Sequence, residues 1–228
     1  MKRAAWLMAG AAPVAWGAYT WGSHLLTLAS VWRGPRARRA VALTFDDGPD
    51  PSSTPRVLDI LEREDVRGAF FMIGRRAAHA PAVARRIAQA GHDLGNHTWS
   101  HTSLWRCGPD RTEREIGDGH AAITQAAGAP PRFFRPPWGK SNLAMFGALR
   151  RLETPCVFWT VQPESRRPVD PMEQARRGGA RARAGAIYDL HDADGVPGAG
   201  TRLVEYLPAL IADLRRRGYA LVPLRELL

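Results

Sequence analysis

From residue 40 onward, short apolar runs alternate with longer stretches in which apolar positions recur every three or four residues. The runs at 41–45, 69–73, 92–96, 132–135, 156–161, 186–190 and 220–224 read as strands, most of them short and apolar as buried strands are. Helices are expected at 54–64, 81–90, 112–127 and 171–183. The clearest helical spacing joins Leu203, Val204, Leu207, Leu210, Ile211 and Leu214 and ends at Gly218, with Pro208 a point of expected kinking. This alternation predicts parallel strands joined by crossover helices. Seven strands suit an incomplete α/β barrel better than a dinucleotide-binding sheet, and no G-x-G-x-x-G follows the first run. In parallel α/β folds the reactive groups sit on loops at the carboxyl ends of strands, so those positions are read first.

The N-terminus departs from this pattern. Residues 4–32 contain no Asp, Glu, Lys or Arg, and one helix of that length would measure about 43 Å, enough to cross a bilayer. Trp6, Trp16, Tyr19, Trp21 and Trp32 fit interfacial belts only in part. A cleavable signal peptide is the rival reading, with small residues at Ala9-Gly10-Ala11 and near Ala29-Ser30, but the first site leaves too short an apolar core before it. The division expected is therefore an anchor or signal segment with a basic linker over 1–39, and a catalytic domain over 40–228. Basic residues flank the apolar stretch on both sides, so the positive-inside rule leaves its orientation open.

Composition adds little that is specific. The 228-residue chain is 45% hydrophobic, enough to close a core, and carries a net charge of +10. All of its 32 basic residues except Lys2 and Lys140 are arginines, scattered as pairs such as Arg85-Arg86 and Arg176-Arg177. No basic stripe is interleaved with aromatics, which argues against nucleic acid as a partner. Cys107 and Cys156, the only cysteines, lack the spacing of a structural zinc site.

Four strand ends carry usable chemistry. The first delivers Asp46-Asp47-Gly48-Pro49, where extended backbone would point one carboxylate to a metal and the other to a bound water, although an Asp-Gly turn is the plainer alternative. The third is followed by His97 and His101, whose i, i+4 spacing would place both imidazoles on one side of a helical turn, ready to share a divalent cation. With Asp47 they make a two-histidine, one-carboxylate set with room for water. The fourth ends at Arg135, followed by Pro136, Pro137 and Trp138, and a guanidinium fixed beside Asp46 would set the basicity of that carboxylate. The sixth ends at His191, an imidazole able to protonate a leaving amine.

Taken in order, Thr44-Phe45-Asp46-Asp47-Gly48, His97-Thr98-Trp99-Ser100-His101, Arg135-Pro136-Pro137-Trp138-Gly139 and Leu190-His191 resemble the motifs of the polysaccharide deacetylase family, the NodB-homology domains of carbohydrate esterase family four. The resemblance covers about residues 40–228. It implies a distorted (β/α)7 barrel and metal-assisted removal of acetyl groups from N-acetylated sugars of a peptidoglycan- or chitin-like glycan; the alternatives are a cyclic amide or acetylated xylan as substrate, or a weakly active carbohydrate-binding relative. By the same resemblance Asp46 is the base, Asp47, His97 and His101 hold one divalent ion, Arg135 partners the base and His191 is the acid. The backbone near Pro137 and Trp138 would meet the developing oxyanion, and the Trp138 ring would contact a sugar. Zinc suits the ligand set, with cobalt, nickel or iron as substitutes. A domain of this kind is expected outside the cytoplasm, anchored or secreted, in an oligomeric state the sequence leaves open. One departure stands out, because family members place an Asp where this chain has Gln162, to support the acid histidine. Glu164, Asp189, Asp192 and Asp194 are the candidates to replace it.

Overall fold

The structure, a computed structural model, describes residues 14–23, 27, 30–164, 169–195 and 198–228. Its centre is a sheet of parallel strands in the order β4-β3-β2-β1-β5. These are β1 (Ala40–Asp46), β2 (Ala69–Met72), β3 (Asp93–Asn96), β4 (Phe133–Phe134) and β5 (Ala186–His191), with β6 (Ala220–Leu221) paired to the start of β1. Around it lie α1 (Thr54–Arg63), α2 (Gly74–His79), α3 (Pro81–Gln89), α4 (Pro109–Ala127), α5 (Leu143–Arg151), α6 (Pro171–Ala180), α7 (Ala199–Arg216) and α8 (Leu224–Leu227). Helices α2, α5 and α8 were not expected from the spacing. Helix α7 runs unbroken through Pro208, which lies on its partly exposed side.

Residues 156–161 do not form the seventh strand that their apolar run predicts. They close the ring through single bridges, Phe134 to Cys156 on one side and Val161 to Tyr188 on the other. The reason is competition for their backbone. The Arg135 guanidinium takes the carbonyls of Val157 and Phe158, and the Phe158 N–H donates to the Val31 carbonyl.

Strand alternation decides what faces the lumen. In β1, Val41, Leu43 and Phe45 join Val57, Leu61, Leu203 and Leu207 in the core between sheet and helices. Ala40 and Ala42 instead face inward, with Ala69, Phe71, Phe133, Val157 and Ile187, and α8 plugs that end through Leu224 and Leu227. The same parity puts Thr44 and Asp46 of β1, and Asp189 and His191 of β5, inside the ring. Small residues at one end of the lumen and polar ones at the other leave the site at the strands' carboxyl ends.

The expected anchor is not seen as such. Residues 4–13, 24–26 and 28–29 lie outside the described residues, and among the described ones no helix is long and apolar enough to cross a membrane. The rest of the stretch packs on the domain, where Val31 bridges to Val157, Trp32 stacks on Phe158 with ring centroids 4.1 Å apart, and Gly34 donates to the Gly185 carbonyl. Cys107 and Cys156 are both free and buried.

Candidate active site

Asp46 and His191 are register partners on neighbouring strands, so the base and acid candidates face the lumen side by side. Arg135, wholly buried, spans the ring beneath them. Its Nη1 donates to Asp46 Oδ1 (2.7 Å) and Thr44 Oγ1 (2.7 Å) and reaches Asp189 Oδ1 at 3.3 Å. Its plane lies over the Phe71 ring, 4.0 Å from the centroid. With Oδ1 held, Asp46 turns Oδ2 toward His97 Nε2, 3.7 Å away.

Asp47, His97 and His101 converge, with one potential ligand atom from each lying within 4.8 Å of the others. They do so without the helical turn that the i, i+4 spacing suggested. Residues 97–101 form an irregular loop in which Thr98 (φ 68°) and His101 (φ 60°) are left-handed, as is Asp47 (φ 74°) across the gap. Left-handed non-glycine residues cost free energy and persist where the surroundings over-determine them. Here Glu115 of α4 accepts from Ser100 N and Ser100 Oγ, Asn96 Oδ1 accepts from Thr98 N, and Thr98 Oγ1 accepts from His101 N. A regular turn would forfeit these bonds.

The donor set fits a cation. Asp47 Oδ1 is buried, lies 3.0 Å from His101 Nε2 and 3.7 Å from His97 Nε2, and accepts no hydrogen bond of sound geometry. His97 Nδ1 is bonded to the Arg135 carbonyl (2.7 Å), which directs Nε2 at the shared centre. Burial would raise the Asp47 pKa, but His101, His97 and His191 bring it down to about 2, while burial dominates at His97 and lowers its pKa. An ionised carboxylate beside a neutral imidazole is the protonation state that ligands require.

Of the four carboxylates left open to support His191, Glu164 does so. Its Oε2 lies 2.5 Å from His191 Nδ1, and its Oε1 accepts from His191 N (2.9 Å) and Tyr206 Oη (3.2 Å). Burial lowers the His191 pKa, but the Glu164 bond and charge, with Asp189 and Asp46, outweigh it and push it up to about 11. Asp189 sits instead under Arg135. Asp192 is buried, accepts from Thr54 Oγ1, and is raised to about 7 by burial and by the charges of Asp47 and Asp46. Asp194 caps the start of α7 through Gly198 N. Sequence reasoning gave Asp189 no place beside Arg135, although its i, i+2 relation to His191 on a strand puts it on the same face.

At the rim, the exposed Trp138 ring lies 4.4 Å from that of His101, and Trp138 itself is left-handed (φ 55°) within the short 3-10 turn Pro137–Gly139. Beside Asp47, Arg76 donates to the Asp47 and Asp194 carbonyls. Gly195 approaches so closely that a Cβ there would lie 1.8 Å from Asp47 Oδ2.

A parallel α/β ring with a candidate acid–base pair and a potential Asp-His-His metal site at its carboxyl end carries its reactive groups where barrel enzymes carry theirs. The chain belongs to the polysaccharide deacetylase family, whose model matches residues 33–157. It is 32% identical over 199 residues to a peptidoglycan-N-acetylglucosamine deacetylase of Bacillus cereus, covering 86% of this chain and 92% of that one. It is 37% identical over 202 residues to a chitooligosaccharide deacetylase of a Bradyrhizobium species, covering 83% and 90%. The solved structure of the Bc1960 peptidoglycan N-acetylglucosamine deacetylase, in complex with a naphthyl N-hydroxybenzamide, superposes with a TM-score of 0.81 at 30% identity over 87% of this chain and 92% of that one.

Proposed function

We propose that this chain removes acetyl groups from N-acetylated sugars of a polysaccharide, peptidoglycan- or chitin-like, using one divalent ion, zinc by choice of ligands, held by Asp47, His97 and His101. The observation that carries the reading is the register pairing of Asp46 with His191, which sets the base and acid side by side at the strands' carboxyl ends, next to that ligand set. The bound ion supplies Lewis acidity, lowering the pKa of water and polarising an acetyl carbonyl. Asp46, its Oδ1 fixed by Arg135, accepts a proton from the attacking water through Oδ2. A backbone N–H near Pro137 and Trp138 would meet the carbonyl oxygen as it gains charge. His191, its Nδ1 engaged by Glu164, delivers a proton from Nε2 to the sugar nitrogen as the C–N bond breaks. Acetate and a free amine leave, and the exposed Trp138 face is placed to stack on the pyranose.

The fold family also contains pseudoenzymes, so turnover is the quantity to measure. Acetate release should be followed with zinc-loaded protein on chitin oligomers and on peptidoglycan. Release that disappears in Asp46→Asn, with binding retained, supports the reading; release only from acetylated xylan moves the substrate, and none from any acetylated glycan refutes it.

A further inference from the structure

Residues 14–21 form a helix that packs on the domain with its polarity reversed. Its buried positions carry hydroxyls, since Thr20 and the following Ser23 are 4% and 0% exposed. Thr20 Oγ1 donates back to the Trp16 carbonyl, and Ser23 Oγ is bonded to Ser141. The outward positions carry hydrocarbon: Val14 is 73% and Trp21 66% exposed, with Ala18 exposed between them at i, i+4, i+7 spacing. A helix facing water shows the opposite distribution. Apolar side chains outward, with small hydroxyl residues turned to the protein, are the pattern of a helix facing lipid.

The geometry points to a lipid bilayer as the occupant of this face, with the helix lying in the interface rather than crossing it. Two further observations favour lipid over a second protein copy or a glycan. The charge-free stretch continues through residues 4–13, immediately upstream. Cations flank the helix, since Lys140 Nζ lies 5.1 Å from the centroid of the Trp105 ring, itself 5.4 Å from Trp21, and Arg106 next to Trp105 is exposed. Such a fringe suits anionic headgroups.

The consequence is positional. The helix is fixed to the active-site rim, through Trp16 Nε1 donating to the Trp105 carbonyl (3.2 Å) and Ser23 to Ser141, and the segment 138–141 leads back to Trp138 beside His101. A bilayer on the helix therefore brings the catalytic mouth to the membrane surface and selects glycan held close to it. Selection of membrane-proximal glycan rests on the proposed deacetylase activity, whereas docking of the helix on lipid does not.

Flotation of the full chain with vesicles of equal parts phosphatidylcholine and phosphatidylglycerol tests it. Wild type should float, and Val14→Ser/Trp21→Ser should lower the partition coefficient about tenfold or more. Ala18→Glu, a helix-compatible charge on the outward face, should do the same with unaltered thermal unfolding. Undiminished flotation of Ala18→Glu would overturn the inference, as would wild type that stays in solution. Loss of a dimer or of chitin-oligomer affinity in Trp21→Ser, with vesicle binding unchanged, would overturn it in favour of another occupant.

Discussion

Glu164 Oε2 stands 2.5 Å from His191 Nδ1, so the imidazole is backed by a carboxylate two residues beyond Gln162, the position at which the family pattern supplies one. The longer glutamate side chain, from a displaced position, restores the partner, and Tyr206 Oη steadies its other oxygen.

Replacing Glu164 by Gln should therefore lower the His191 pKa from about 11. A general acid works only while protonated, so activity is lost as pH rises through that pKa. The alkaline limb of the kcat profile should move to lower pH, with kcat reduced roughly tenfold or more. An unmoved limb would mean that Glu164 does not set the basicity of His191.

Asp189 shares the Arg135 guanidinium with Asp46, and burial, followed by the Asp46 charge, raises its pKa well above the usual carboxylate range. A carboxyl whose folded pKa lies above its unfolded value near 4 loses stability as pH climbs through the interval between them. Asp189→Asn carries no such charge. Its melting temperature relative to wild type should rise from pH 4 upward, and a constant difference would contradict the assignment.

The contact of Gly195 with Asp47 leaves no room for a methyl group. Gly195→Ala should push the Asp47 carboxylate aside and weaken zinc binding by roughly tenfold to a hundredfold. Calorimetric titration measures this, with circular dichroism establishing that the fold survives.

Glu115 acts at a distance from the chemistry. Its two bonds to Ser100 hold a loop that contains two left-handed residues, and Glu115→Ala should cost about 1–3 kcal/mol of stability. It should also weaken zinc affinity by releasing His101, while Ser100→Ala, which removes only one bond, should do less of both.

Much of this was legible in the chain, and the failures have physical causes. Buried parallel strands announce themselves as apolar runs, and alternation along them places Asp46 and His191 inward. Arg135 could be matched to Asp46 because a buried guanidinium needs a carboxylate. The run 156–161 looked like a strand because apolar content says nothing about which groups claim its carbonyls. The spacing of His97 and His101 fitted a helix equally well, since an i, i+4 interval does not distinguish a regular turn from a loop pinned by Glu115. Glu164 was one of four candidates until the approach of residues 162–164 to β5 was known. For the apolar N-terminal stretch, hydropathy read length and missed polarity, because the buried hydroxyls of Thr20 and Ser23 become informative only once their side of the helix is fixed.

In the proposed reaction Asp47, His97 and His101 hold one cation beside Asp46. X-ray absorption at the zinc edge, on protein loaded with one equivalent of zinc, tests it most directly. Two imidazole nitrogens and a carboxylate oxygen at about 2.0–2.2 Å, losing one nitrogen shell in His101→Ala, is the predicted result. A spectrum unaltered by His101→Ala, or zinc that does not bind at all, would contradict it.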